Sequence, residues 1–323
     1  MFEAEDIEVF ILTYNRAEFL KQCLGSIIGQ SIKGFGITVL DNSSSDNTME
    51  VVRSFGIKYV KTEPRGDISA NYKMAQQLAK RKYAMAFHDD DILHPEYIET
   101  VLRALNKVRD VNLLLSCFTF FEGNTPPEFE RDMRPYCYLL KGDCELAVYM
   151  YARGGVSYSG AVYKTEIFKN IKSDLDVYGK NNDWPILLQA AQNKNVLLLK
   201  DRLGIFARRH KGQDTTNPST GISIKQLLNW EKLYYQKCNT THAGGKVFTS
   251  RIYRDIKAKY DGWTSSSERK SCPWPQLVDK ASAMGLISPV ALRCGIRKHS
   301  LYARMRTFWY RNTAKYSPRE IHL

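Results

Sequence analysis

The chain has no stretch approaching the ~18 consecutive apolar residues that a membrane-spanning helix requires. It has no Cys-x-x-Cys pair. Its seven cysteines (Cys23, Cys117, Cys137, Cys144, Cys238, Cys272 and Cys294) are odd in number and scattered. That argues against a zinc site and predicts a reducing compartment. There is no G-x-x-x-x-G-K-[ST], which excludes a P-loop. No G-x-G-x-x-G follows the first strand, which weakens a dinucleotide-cofactor reading. The start, Met1-Phe2-Glu3-Ala4-Glu5-Asp6, lacks the basic head and apolar run of a signal peptide. Internal repeats and low-complexity segments are also missing. Acidic residues are scarce in one region. Residues 251–323 hold 15 Lys/Arg against 5 Asp/Glu, whereas residues 1–250 hold 32 against 29. A nearly neutral body with a basic C-terminal quarter predicts an anionic partner for the tail.

What is present is a regular alternation. Apolar runs at 8–12, 36–40, 57–60, 83–87 and 111–116 read as strands. Helical spacing marks 17–29, 48–55, 68–82 and about 95–108 between and after them. This order predicts a mostly parallel sheet covered by helices on both faces. From 122 the pattern loosens. A Pro-containing loop (Gly123-Asn124-Thr125-Pro126-Pro127) precedes a helix at about 142–152, a strand at 159–163 and a helix from Ile186 to Gln192. Strands at 195–199 and 203–208 and a helix at 222–238 follow. Beyond about 250 the chain reads as basic and helical, broken at Cys272-Pro273-Trp274-Pro275 and Ser288-Pro289.

The most informative run is His88-Asp89-Asp90-Asp91, directly after the strand at 83–87. Three adjacent carboxylates repel each other and lose hydration if buried. A fold tolerates them either as a solvated turn capping the next helix or around a positive group, commonly a divalent metal. Thr13–Arg16 and Asp41 also fall at carboxyl ends of strands, where ligands bind in open α/β sheets. Three polar clusters converging on one sheet edge favour the ligand reading.

Six segments in order resemble the inverting glycosyltransferases of family 2. They are Phe10-Ile11-Leu12-Thr13-Tyr14-Asn15-Arg16, Ser26-Ile27-Ile28-Gly29-Gln30-Ser31, Val39 to Thr48, the acidic run, Asn182-Asp183-Trp184 and the basic-His segment at 208–210. The resemblance covers the first ~215 residues. It implies an α/β GT-A fold, a Rossmann-like mostly parallel mixed sheet flanked by helices, here with a basic helical C-terminal extension. The expected division is a catalytic domain at 1–220 and a basic helical region at 221–323. The expected activity moves a sugar from a nucleotide-diphosphate donor, a UDP-sugar, to a hydroxyl of a glycan or lipid-linked acceptor, as in bacterial surface-polysaccharide synthesis. By resemblance, Thr13 and Tyr14 contact the base, Asp41 the base or ribose, and Asp67 the base again. Asp89 binds ribose. Asp90, with Asp91 and His210, holds Mn²⁺ or Mg²⁺ at the diphosphate. Asp183 is the catalytic base. One departure stands out: His88 occupies a place where the family usually has aspartate, which leaves open which of Asp89, Asp90 and Asp91 touches metal.

Several residues keep two readings. Asp183 is either the base or only an N-cap before Pro185. His210 either reaches the metal or is solvated in the basic segment Arg208-Arg209-His210-Lys211. Trp184 is either a sugar wall or core. In the tail, Leu301, Met305, Phe308 and Trp309 have helical spacing, bordered by Arg297, Arg304 and Arg311. That helix either docks on an anionic membrane surface or packs on the catalytic domain. Membrane docking goes with a cytoplasmic, peripheral location. The alternative class is a non-catalytic protein on the same scaffold that binds nucleic acid or membrane through its basic tail. It leaves the strand-end acids unexplained, since they repel phosphate, so no nucleic acid is expected as partner.

Overall fold

The computed structural model describes residues 1–65, 67–125, 128–129, 135–153, 155–179, 182–200, 204–210, 221–239, 242–287 and 318–323. The elements are, in order, β1 (Ile7–Thr13), α1 (Ala17–Ile28), β2 (Gly36–Asp41), α2 (Thr48–Ser54), β3 (Lys58–Lys61), α3 (Ile68–Leu78), β4 (Tyr83–His88), β5 (Ile92–Leu93), α4 (Tyr97–Lys107), β6 (Val111–Ser116), β7 (Phe118–Glu122) and β8 (Tyr136–Lys141). Then come α5 (Gly142–Arg153), β9 (Val162–Lys164), α6 (Thr165–Phe168), α7 (Leu175–Tyr178), α8 (Asp183–Ala190), β10 (Asn195–Lys200), β11 (Ile205–Arg209), α9 (Ile224–Cys238), α10 (His242–Trp263), α11 (Ser266–Ser271), α12 (Trp274–Ala283) and β12 (Arg319–His322).

Nine strands form one mixed sheet in the order β12-β8-β10-β6-β9-β4-β1-β2-β3. The half containing β4, β1, β2 and β3 is parallel, while β9, β8 and β12 pair antiparallel. Side chains alternate between two cores, as a period of two requires. Ile7, Val9 and Ile11 face the core that holds α1 and α4. Phe10 and Leu12 face the core that holds α5, α8, α9, α10 and α12. The helices after residue 221 therefore bury residues such as Leu227, Ile256 and Leu277 in the same core as the sheet. A second sheet, β5-β11-β7, stands beside the first.

Register fixes which residues meet. Thr13 lies opposite Asp41, and Leu12 opposite His88. One edge of the parallel half thus carries the ends of β1, β2 and β4 together. In the second sheet Phe206 pairs with Ile92 and Ile205 with Leu93, antiparallel. Continued two residues, that register sets Arg208 opposite Asp90.

The alternation to residue 116 matches the expectation closely, and four short strands were not expected: β5, β7, β8 and β12. The strand expected at 159–163 begins only at Val162. Gly160 sits at φ +78°, where a side chain is strained, and an added Cβ would meet Ile205 Cδ1 at 2.4 Å. The chain turns there and then enters β9. The C-terminal region expected to be helical ends instead in a strand, β12, on the edge beside β8. Pairing satisfies the β8 backbone, and Ile321 packs against the core, which local helical spacing upstream could not foretell. Residues 293–311, read as an amphipathic helix, lie outside the described residues.

Candidate active site

Two turns frame the carboxyl edge of the sheet. After β1, Asn15 takes a left-handed conformation, and after β2, Ser43 does. Their loops are bonded to each other: Asn15 N–H donates to Ser44 Oγ at 2.8 Å, and Ser45 N–H donates to Asn15 Oδ1 at 2.7 Å. Asp46 reaches across to accept from Ala17 N–H at 3.1 Å, capping α1 from another loop. Burial alone would raise the Asp46 pKa. Hydrogen bonds from Thr48 and Ala17 outweigh it and hold the carboxyl below its ordinary value.

The acidic run forms the centre. Asp89 is buried and accepts from Thr13 Oγ1 at 2.6 Å and Arg16 Nη1 at 3.2 Å. Burial pushes its pKa up to about 6, against the opposing pull of Arg16. Asp90 Oδ2 meets His210 Nε2 at 2.9 Å and Arg16 Nη1 at 3.4 Å. Burial disfavours its anion, but His88, His210 and Arg16 prevail and hold its pKa below the ordinary value. Asp91 is buried, accepts from Arg208 N–H at 3.3 Å, and is raised to about 6 by burial and then by Asp90. One donor atom each from His88, Asp90 and Asp91 lies within 4.8 Å of the others. An imidazole and two carboxylates at that spacing fit a divalent cation with open positions.

The remaining expected residues spread around this centre. Tyr14 directly follows β1 and is exposed. Asp41 is buried, and its carboxylate is already used: Ser44 N–H and Oγ donate to Oδ1, and Tyr59 Oη donates to Oδ2 at 2.6 Å. Asp67 is the N-cap of α3, accepting from Ser69 N–H at 2.9 Å, and that bonding lowers its pKa. It joins the edge through Asn71 of the same helix, which donates to Thr13 O at 3.2 Å. Asp183 is the first residue of α8. Asn182 holds the N-cap position, and no side-chain cap bond is made there. Asp183 is exposed to solvent on one side, yet protein crowds it closely enough that desolvation lifts its pKa to about 6; His88 pulls the other way. The hydroxyls of Tyr72, Tyr158 and Tyr163 all feel its charge. Tyr158 stands 6.0 Å from the His88 ring, linking Asp183 to the acidic run. Trp184 packs against Trp230, ring centres 5.6 Å apart, as part of the core margin.

Two residues given no role in the sequence are central here. Arg16 bridges Asp89 and Asp90. Arg208, expected at the end of the strand 203–208, is 1% exposed. Its guanidinium lies 4.7 Å from the Phe19 ring and 4.6 Å from the Phe121 ring. It donates to Asp90 O at 3.2 Å, to Gln22 Oε1 at 2.6 Å and to Gly123 O. The available signal was its place in an otherwise apolar strand, Ile205-Phe206-Ala207.

Residues 8–171 match the sequence family described as Glycosyl transferase family 2. An uncharacterized glycosyltransferase of Methanocaldococcus jannaschii is 29% identical over 256 residues, spanning 76% of this chain and 84% of that one. A validoxylamine A glucosyltransferase of Streptomyces hygroscopicus is 32% identical over 127 residues, spanning 37% of this chain and 30% of that one. The crystal structure of S. aureus TarS 1-349 in complex with UDP superposes with a TM-score of 0.61 at 14% identity, covering 94% of this chain and 91% of that one. Its complex with UDP-GlcNAc gives 0.58 at 16% identity. At those identities the likeness is one of fold, the GT-A α/β fold. A match over half the chain, containing the two framed turns and the acidic run, shows what the strand-end cluster belongs to: the chain is a member of glycosyl transferase family 2, a glycosyltransferase.

Proposed function

We propose that this glycosyltransferase moves a sugar from a nucleoside diphosphate donor, a UDP-sugar, to a hydroxyl of a glycan or lipid-linked acceptor in one inverting displacement. The observation that carries this reading is the convergence of Thr13, Tyr14, the acidic run and His210 on one sheet edge, with Asp183 beside Tyr158 and His88. Tyr14 stacks on the base, and Asp89, oriented by Thr13 and Arg16, accepts from ribose. Asp67 and Asp41 shape the base pocket, Asp41 chiefly by holding its turn. Asp90 and Asp91, with His210 bonded to Asp90, hold Mn²⁺ or Mg²⁺; such an ion offsets the charge that grows on the departing diphosphate. Asp183 takes the proton of the acceptor hydroxyl as it attacks, and a pKa near 6 suits that task. The UDP and UDP-GlcNAc complexes of S. aureus TarS support a uridine donor. The basic tail at 293–311 places the enzyme on an anionic membrane surface, where a lipid-linked acceptor is met.

The test is calorimetric titration of UDP with and without Mn²⁺. Binding is expected only with the ion, and Asp90→Ala is expected to abolish it. Asp183→Asn should bind UDP as the wild type does and transfer no sugar. Unchanged transfer by Asp183→Asn removes the base assignment, and equal UDP binding without metal removes the metal-dependent reading.

A further inference from the structure

The sequence places three aspartates side by side, but the folded chain brings a different trio together. His88, Asp90 and Asp91 each offer a donor atom within 4.8 Å of the other two. Asp89 is committed elsewhere, one oxygen to Thr13 and the other to Arg16. The backbone explains the change. His88 ends β4, and Asp91 N–H bonds back to His88 O at 3.4 Å, so the turn folds Asp91 toward the imidazole. His88 is half-buried, with its ring 6.0 Å from that of Tyr158. His210 is also close, but it meets Asp90 through Oδ2 and rests its ring 4.8 Å from Phe19. It does not belong to the trio of donors.

The geometry points to His88 as a ligand of the divalent cation, and to its nitrogen as the group that shifts the site's choice from Mg²⁺ toward Mn²⁺ and Co²⁺. This rests on the proposed function only in assuming that a cation accompanies the nucleotide. Mg²⁺ is small and hard and gains little from an imidazole nitrogen. Affinity for a site bearing nitrogen rises along the first-row series from Mn²⁺ to Co²⁺. Two carboxylates and one imidazole leave positions for diphosphate oxygens. An all-carboxylate site at this strand end would carry no such bias. The substitution of His for Asp at position 88 then becomes a change of metal preference rather than the loss of a site.

Pulsed electron paramagnetic resonance of Mn²⁺ bound with UDP reads the ligand directly. The wild type should show coupling to a directly bound ring nitrogen. His88→Asn should lose that coupling, and His210→Asn should keep it. Calorimetry of Mn²⁺, Co²⁺ and Mg²⁺ in the presence of UDP gives the second readout. His88→Asp should narrow the Mn²⁺-to-Mg²⁺ affinity ratio roughly tenfold. Bound Mn²⁺ with no ring-nitrogen coupling in the wild type overturns the assignment and leaves the proposed function standing. Coupling lost in His210→Asn and kept in His88→Asn does the same. Failure of Mn²⁺ to bind at all, with or without UDP, overturns instead the metal-dependent reading beneath it. The wild-type and His210→Asn samples decide the question even where His88→Asn folds poorly.

Discussion

At the scale of single residues, environment decides role. Asp183 and Asp90 are both carboxylates, yet crowding lifts one to about 6 while neighbouring positive groups hold the other low. A base must be ionised to accept a proton. Transfer by the wild type should therefore be full above neutral pH and fall as pH drops through about 6. A kcat profile with saturating donor measures this; a flat profile down to pH 4.5 would count against Asp183. Arg208 illustrates the opposite limit, a charge kept for its fork of donors. Arg208→Met leaves the Asp90, Gly123 and Gln22 oxygens without their donor. The expected loss is about 2–4 kcal/mol in urea unfolding, from unpaired buried acceptors and the lost packing between two rings. Arg208→Lys should not restore it, because one ammonium cannot span those three acceptors. The residue was legible in the sequence as a cation and illegible as a buried one, since only the pairing of β11 with β5 puts it behind Asp90.

At the scale of elements, the site depends on ends rather than on interiors. β1, β2 and β4 are buried, apolar and parallel, and that much follows from their sequence. The candidate site is built from the last residue of each strand and the few that follow it. There the chain turns through left-handed Asn15 and Ser43, and one loop caps the helix that follows the other. Asp46→Ala should remove the cap of α1 and cost about 1 kcal/mol. Thermal unfolding above pH 5 measures it. The carboxyl is held below its unfolded pKa, so the contribution is present above that value and lost as pH falls through the folded one. The difference between Asp46→Ala and wild type should therefore shrink in acid. β12 is another end effect. Deleting residues 319–323 would expose the β8 edge and uncover Ile321's place in the core, and lower thermal stability.

At the scale of the whole molecule, two of the helices after residue 221, α9 and α10, are tied to each other by a charge pair inside an aromatic cluster. Glu231 of α9 is fully buried and paired with Lys259 of α10. The Lys259 ammonium lies 5.1 Å from the Trp230 ring, 5.7 Å from Tyr234 and 5.8 Å from Tyr151. Trp184, next to Asp183, packs on the same Trp230. Lys259→Met strands a buried carboxylate and should cost about 3–5 kcal/mol, most of which the double variant with Glu231→Leu should recover. Burial holds the Glu231 carboxyl above its ordinary pKa even against the pull of Lys259, so the penalty should shrink as pH falls and the carboxyl takes up a proton. Since α10 and α12 bury Ile252, Ile256, Tyr260 and Leu277, removing the chain after residue 250 would dismantle the core. The membrane role proposed for the tail is therefore tested by replacing Arg297, Arg304 and Arg311 with Glu. Loss of binding to anionic vesicles with unfolding unchanged is the expected result, and undiminished binding would rule the tail out as anchor.

The sequence alone determined the alternation of strands and helices, the edge on which polar clusters gather, and the family. These are local matters: period, turn chemistry and the order of short segments survive without knowledge of contacts. The tertiary structure decided which groups face one another. It turned His88 toward Asp90 and Asp91, gave Asp89 to Thr13 and Arg16, buried Arg208, and returned the C-terminus to the sheet as a strand. Each of those depends on the register between segments far apart in the chain, and the side-chain pattern within one segment carries no information about its partner's offset.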